Sequence, residues 1–206
     1  MDTVNIFYSG ILFNPNLSYE TLTDSRDNQT YKTIKIGTQT WMAQNLNYAE
    51  TGTWCYNDST KYCDLYGRLY DWNTAMQGAA SSNNIPSGVK GICPTGWHLP
   101  SDAEWDILAN NLGGLYVAGG KMKETGTIHW NSPNTGADNS SGFTGLPSGY
   151  RSNVVCFYSL GDYTAFWTSI EYFYVYTRTM NIFNASLARI DVNFKTDGKS
   201  VRCLKD

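Results

Sequence analysis

From Gln29 to Met42 the chain alternates along its length, with Tyr31, Thr33 and Lys35 interleaving with Lys32, Ile34 and Ile36. That period of two, interrupted by Gly37-Thr38, predicts a β-hairpin with both arms in one sheet. Further on the period lengthens. Leu65, Leu69, Trp72 and Met76 fall at steps of four, three and four, which predicts a helix from Asp64 to about Gln77 with one apolar stripe against the core. A second helix has a fuller signature: Ser101-Asp-Ala-Glu104 forms a capping box behind Pro100, Trp105, Leu108 and Leu112 share one face, and Gly113-Gly114 ends it. After Lys123 the chain is rich in Gly, Asn, Ser and Thr, and strand-like runs recur at 166–169, 172–180, 187–194 and 200–204. Residues 1–24 show no sustained period and are interrupted by Asn14-Pro15-Asn16, so they read as an N-terminal arm ahead of one domain spanning 25–206.

Composition narrows the class. The 206 residues suffice for one core, and an aromatic content of 15% is too much ring area for a disordered chain. The 19 glycines argue against a helical bundle. Only 16% of residues are charged and the net charge is -3, so the field needed to hold a phosphate backbone is missing and nucleic acid is excluded as a partner. No apolar run approaches the ~18 residues of a spanning helix, so no membrane insertion is expected. Met1 to Phe13 lacks the basic segment of a signal peptide. The five cysteines form no CxxC and lie near no histidine cluster; two disulfides and one remaining thiol fit better than zinc, and disulfides imply an oxidising compartment.

Five blocks in order carry a resemblance: Ile36-Gly-Thr-Gln-Thr-Trp-Met-Ala-Gln-Asn-Leu46, Cys63-Asp-Leu-Tyr-Gly-Arg-Leu-Tyr-Asp-Trp72, Cys93-Pro-Thr-Gly-Trp-His-Leu-Pro-Ser-Asp-Ala-Glu-Trp105, Gly142-Phe-Thr-Gly-Leu-Pro-Ser-Gly-Tyr-Arg151 and Ser200-Val-Arg-Cys203. Together they resemble the Fibrobacter succinogenes major paralogous domain over about residues 22–206. The resemblance implies an α+β, C-type-lectin-like fold related to formylglycine-generating enzymes, with two helices flanking a small twisted antiparallel sheet and a long loop-rich C-terminal half. It also implies disulfides Cys55–Cys63 and Cys93–Cys203. Relatives occur in secreted or surface proteins and among the targets of diversity-generating retroelements, so the expected location is extracellular or cell-surface, or alternatively a phage particle.

Chemistry is sparse. A formylglycine-generating oxidase needs two thiols close in sequence near the C-terminal end; with Cys203 in the framework, only Cys156 is spare, and no catalytic residue is expected. His98, within Gly-Trp-His-Leu-Pro, reads as a hydrogen-bonded structural histidine, and His129 as a loop residue. The Glu-Pro-Asn, Gln-Pro-Asp and Trp-Asn-Asp signatures of calcium-dependent sugar binding do not occur, and Ser132-Pro-Asn134 and Ala137-Asp-Asn-Ser140 read as polar loops. No metal or other cofactor is expected.

The informative stretch is 152–194. In Tyr172-Phe-Tyr-Val-Tyr176 four rings within five residues cannot all face inward from one strand, because alternation sends every second side chain to the other face. Exposed aromatic clusters mark interaction surfaces. The expected function is non-enzymatic display of a diversified surface for adhesion or receptor recognition, its partner a protein or glycan on another cell or particle. The candidate binding residues are Val155, Cys156, Tyr163, Trp167, Tyr172, Phe173, Tyr174, Tyr176, Ile190, Asp191 and Asn193, with Arg178 as a charged anchor. A calcium-independent carbohydrate-binding module is the alternative.

Overall fold

The computed structural model describes residues 10–206. Strand β1 (Glu20–Thr23) pairs antiparallel with β2 (Thr30–Ile36), and the Gly37-Thr38 turn returns the chain as β3 (Gln39–Met42). The segment read as an arm thus supplies an edge strand from 20 to 23, while Leu17 and Tyr19 pack on the core; its first nine residues lie outside the described ones.

The predicted helix from 64 to 77 is three elements: after the two-residue β4 (Thr53–Trp54) come α1 (Thr60–Tyr66), β5 (Leu69–Tyr70) and α2 (Trp72–Met76). Gly67 breaks the run at φ +73, where a Cβ would lie 2.8 Å from the Leu46 carbonyl oxygen. Asp71 then restarts a helix, its carboxylate accepting from the Thr74 N–H at 2.7 Å. The apolar spacing was real burial in the wrong period: Leu69, Trp72 and Met76 are all in the core. By contrast, the capping box holds. After β6 (Trp97–His98), α3 (Asp102–Asn111) starts with Ser101 and Glu104 in reciprocal bonds and buries Trp105 and Leu108. A helix without a sequence signature follows, α4 (Leu115–Met122).

The C-terminal half keeps a long irregular stretch from 124 to 147 and then builds strands: β7 (Ser148–Arg151), β8 (Phe157–Leu160), β9 (Tyr163–Glu171), β10 (Val175–Asn181), β11 (Ala188–Asn193) and finally β12 (Leu204–Lys205). Two five-stranded sheets result, ordered β1-β2-β3-β12-β6 and β11-β10-β9-β7-β8. The fold is therefore α+β and sheet-dominated, with four short α-helices among the described residues instead of two flanking one small sheet.

Disulfides join Cys55 to Cys63 and Cys93 to Cys203, and Cys156 is left as an exposed thiol. Between the sheets lies Arg202, fully buried. Its guanidinium donates to the Asn45 side chain and to the carbonyls of Met42, Phe143 and Thr144, and lies 4.3 Å from the Phe143 ring centroid. With no carboxylate beside it, burial pulls its pKa down to about 9. This is why Ser200-Val-Arg-Cys203 reads as a motif: all four residues are interior.

Candidate functional site

The site grows from the hairpin of β9 and β10. Its stem is core: Trp167 is 0% exposed and donates its indole N–H to the Tyr70 carbonyl at 2.7 Å. The far end of β9 is pinned where the Glu171 N–H donates to Ser81 Oγ at 2.7 Å and the Ser169 N–H donates to the Pro100 carbonyl. Immediately beyond, the tip turns outward. Tyr172, Phe173 and Tyr174 are 68%, 85% and 52% exposed, and the first two rings meet edge to face at 4.7 Å. Val175 returns the chain to the core.

Opposite the tip the ladder between β10 and β11 slips, Val175 facing Asn193 while Thr177 faces Ile190, so β11 carries an extra residue there. The buried Asn193 amide donates to the Val175 and Ile190 carbonyls and to Thr177 Oγ1 at 3.0–3.2 Å, which satisfies polar groups the slip disturbs. The slip brings Asp191 and Val192 to the same hollow as Tyr172, Phe173, Tyr174 and Tyr176, an open concavity of about 430 Å³.

Of the residues singled out from sequence, Tyr172, Phe173, Tyr174, Tyr176 and Asp191 come together. Ile190 is half-buried in β11, outside the hollow. Three others are withdrawn from any surface. Trp167 is core and Asn193 staples the bulge. Arg178, only 1% exposed, bonds Asp102 and Asp106 at 2.6 Å each and clamps α3 to the stem. Tyr163 is half-buried at the other end of β9, facing Asn181, and burial pushes its phenol up to about 12. Val155 and Cys156 lie in an exposed turn between β7 and β8, at the opposite edge of the sheet, about 19 Å from β11 by strand spacing. In that turn Val155 holds φ +67, an unfavourable value for a β-branched residue, and a hydrogen bond with Cys156 raises the Tyr158 phenol.

Val192 and Arg189 were not singled out as site residues. The Arg189 guanidinium lies 5.2 Å from the Tyr176 ring centroid and donates to Asp102 at 3.3 Å. Val192 is placed by the register shift, whereas Arg189 sits in regular register opposite Arg178 and reaches Tyr176 and Asp102 from there.

The histidines sit apart from the hollow. His98 bonds Glu104 at 2.9 Å and Asp206 at 2.8 Å; burial works against its charged form, but the two carboxylates prevail and raise its pKa. His129 is in a loop, as read, yet buried, with Nδ1 2.6 Å from Glu124. Asn134 and Asn139 use their side chains to bond Glu124, Gly126 and Thr144 within their own loops. Among the described residues no three His, Cys, Asp or Glu side chains gather as a metal site. A larger polar hollow of about 530 Å³ beside Arg26 and Tyr48 offers less, since Arg26 is already paired with Asp24 at 2.6 Å and stacked on Tyr48 at 3.9 Å.

Fold and site define a disulfide-tied, sheet-dominated α+β domain that holds an aromatic tip on a packed stem. The family profile of the Fibrobacter succinogenes major domain matches residues 34–205, and the chain belongs to that family. No curated protein and no solved structure matches it.

Proposed function

We propose that this domain is a non-enzymatic binding module of C-type-lectin-like build, presenting the tip and the β11 bulge to a protein on another cell or particle. The observation that carries this reading is the exposure of three consecutive rings, Tyr172 to Tyr174, on a stem whose next residue is fully packed. Wide aromatic area held rigidly gives contact at low conformational cost, the property of interface hot spots. The two disulfides support an oxidising, extracellular setting, and no helix among the described residues is long and apolar enough to cross a membrane. With Cys93 and Cys203 joined, the two free thiols of a formylglycine-type oxidase are lacking.

Diversification by a retroelement fits the turn between β7 and β8, at the far edge of the sheet from the tip. A strained Val155 and an unneeded thiol at Cys156 are what unselected replacement leaves behind in an exposed turn. The test is a display library randomised at Val155, Cys156, Tyr172, Phe173, Tyr174, Asp191 and Val192, scored separately for folding and binding. Most members should fold while ligand preference changes between them. If most fail to fold, these positions are structural and the reading is wrong. A carbohydrate reading draws on the tyrosine rings beside Asp191, and chelator-resistant binding on a glycan array would favour it.

A further inference from the structure

The hollow at the tip has a chemical bias that the general reading of a binding face does not specify. Four rings, those of Tyr172, Phe173, Tyr174 and Tyr176, line it beside Val192 and one carboxylate, Asp191. Aromatic faces carry partial negative charge and attract cations. The neighbouring charges are compensated: Lys195 pairs with Glu171 at 2.7 Å, and Arg178 and Arg189 answer Asp102 and Asp106. Asp191 forms no ion pair among the described residues; Arg189 senses its charge but spends its hydrogen bond on Asp102, so the Asp191 carboxylate lines the hollow without a bonded cation.

We propose that this hollow takes an organic cation, the ammonium or guanidinium end of a lysine or arginine side chain on a protein partner. The inference rests on the reading of the tip as the binding face. Arg189 shows the chemistry within the chain: its guanidinium already lies over one face of Tyr176, held back by Asp102. A neutral apolar group filling the hollow would cover Asp191 without giving it a partner, which is costly. A sugar would find a single carboxylate and phenol hydroxyls at the ends of rings, few acceptors for its many hydroxyls. An alkyl chain ending in a positive charge satisfies both halves, its methylenes against Val192 and the rings and its charge between them and Asp191.

The experiment is NMR titration of protein carrying ¹³C-labelled Tyr and Phe rings, with tetramethylammonium chloride, with neopentyl alcohol as its neutral isostere, and with an acetylated, amidated Gly-Lys-Gly peptide. Tetramethylammonium should shift the tip rings saturably, bind about tenfold more tightly than the alcohol, and lose about tenfold in Asp191→Asn. The peptide should bind more tightly than tetramethylammonium. If the alcohol binds equally well, or Asp191→Asn changes nothing, the cation assignment falls while the tip remains a binding face. If tetramethylammonium binds at least as tightly as the peptide, a free small cation is the occupant and the assignment to a protein side chain is wrong. If no probe, charged or neutral, moves the tip rings, both this inference and the reading beneath it fail. Unchanged thermal melting of Asp191→Asn separates lost binding from lost fold.

Discussion

The stem and the tip of one hairpin divide the labour between structure and surface within about twenty residues. In the stem, Trp167 and Arg178 are buried and their side-chain nitrogens are partnered except Arg178 Nη1: the indole N–H by Tyr70, the rest of the guanidinium by Asp102 and Asp106. At the tip, three rings make one aromatic contact and few others. Residue type does not distinguish the halves, since Trp, Tyr and Arg are as suited to a hot spot as to a core. The difference lies in what the neighbours supply. The stem is flanked by β7, β11, α2 and α3, whereas the tip shares only an open hollow with Tyr176, Asp191 and Val192.

That contrast can be broken by mutation. Trp167→Ala should cost ~3–5 kcal/mol by chemical denaturation, as large-to-small core changes do. Arg178→Met should cost ~3 kcal/mol, because Asp102 is left buried with only the longer contact to Arg189; a loss below ~1 kcal/mol would mean the clamp on α3 is slack.

The stem's other end gives a pH test. Lys123 donates to the carbonyls of Thr135, Asn181 and Asn184, and burial lowers its pKa to about 8. The native state therefore releases this proton before the unfolded chain does, whose lysine titrates near ~10.4. The unfolded state binds more protons in between, so this group makes stability rise from about pH 8 to 10. Subtracting the melting profile of Lys123→Met should isolate the rise, and a flat difference would show that Lys123 titrates normally. Smallest of all, Tyr174→Ala should change stability by less than ~0.5 kcal/mol. A cooperative loss on that substitution would make the tip part of the core.

Much of the scaffold was legible because local chemistry marked it. Gly37-Thr38 turns the first hairpin, and Ser101 with Glu104 starts α3. The stripe from Leu65 to Met76 misled because burial alone does not reveal period; only Gly67, at a backbone angle other residues avoid, announces the break. Helix α4 was hidden by Gly119 and Gly120, poor helix formers present because Ser186 and Gly136 carbonyls approach to 2.1 and 2.4 Å of where a Cβ would stand. At the site, alternation along a strand from 172 to 180 implied some exposed ring area but not its form: Tyr172 to Tyr174 are a turn between β9 and β10 and are exposed consecutively, while Arg178, Asn193 and Val192 depended on strand register and a bulge. Those are set by partners distant in sequence, so no local pattern records them.

The position of β12 bears on how the protein is made. The strand lies between β3 and β6, pairing Leu204 with both Trp41 and His98. At ~5–20 residues per second, a ribosome reaches it roughly 8–32 s after the β2–β3 hairpin has been synthesised. Through that interval the inner edge of β3 has no lasting neighbour, and the thiol of Cys93 waits for a partner 110 residues away. Completion of the first sheet is thus deferred until the strands of the second have been synthesised, which places the exposed tip ahead of the final closure. Until then the open edge of β3 is a row of unpaired backbone groups, the template for stray strand pairing that every unfinished sheet presents.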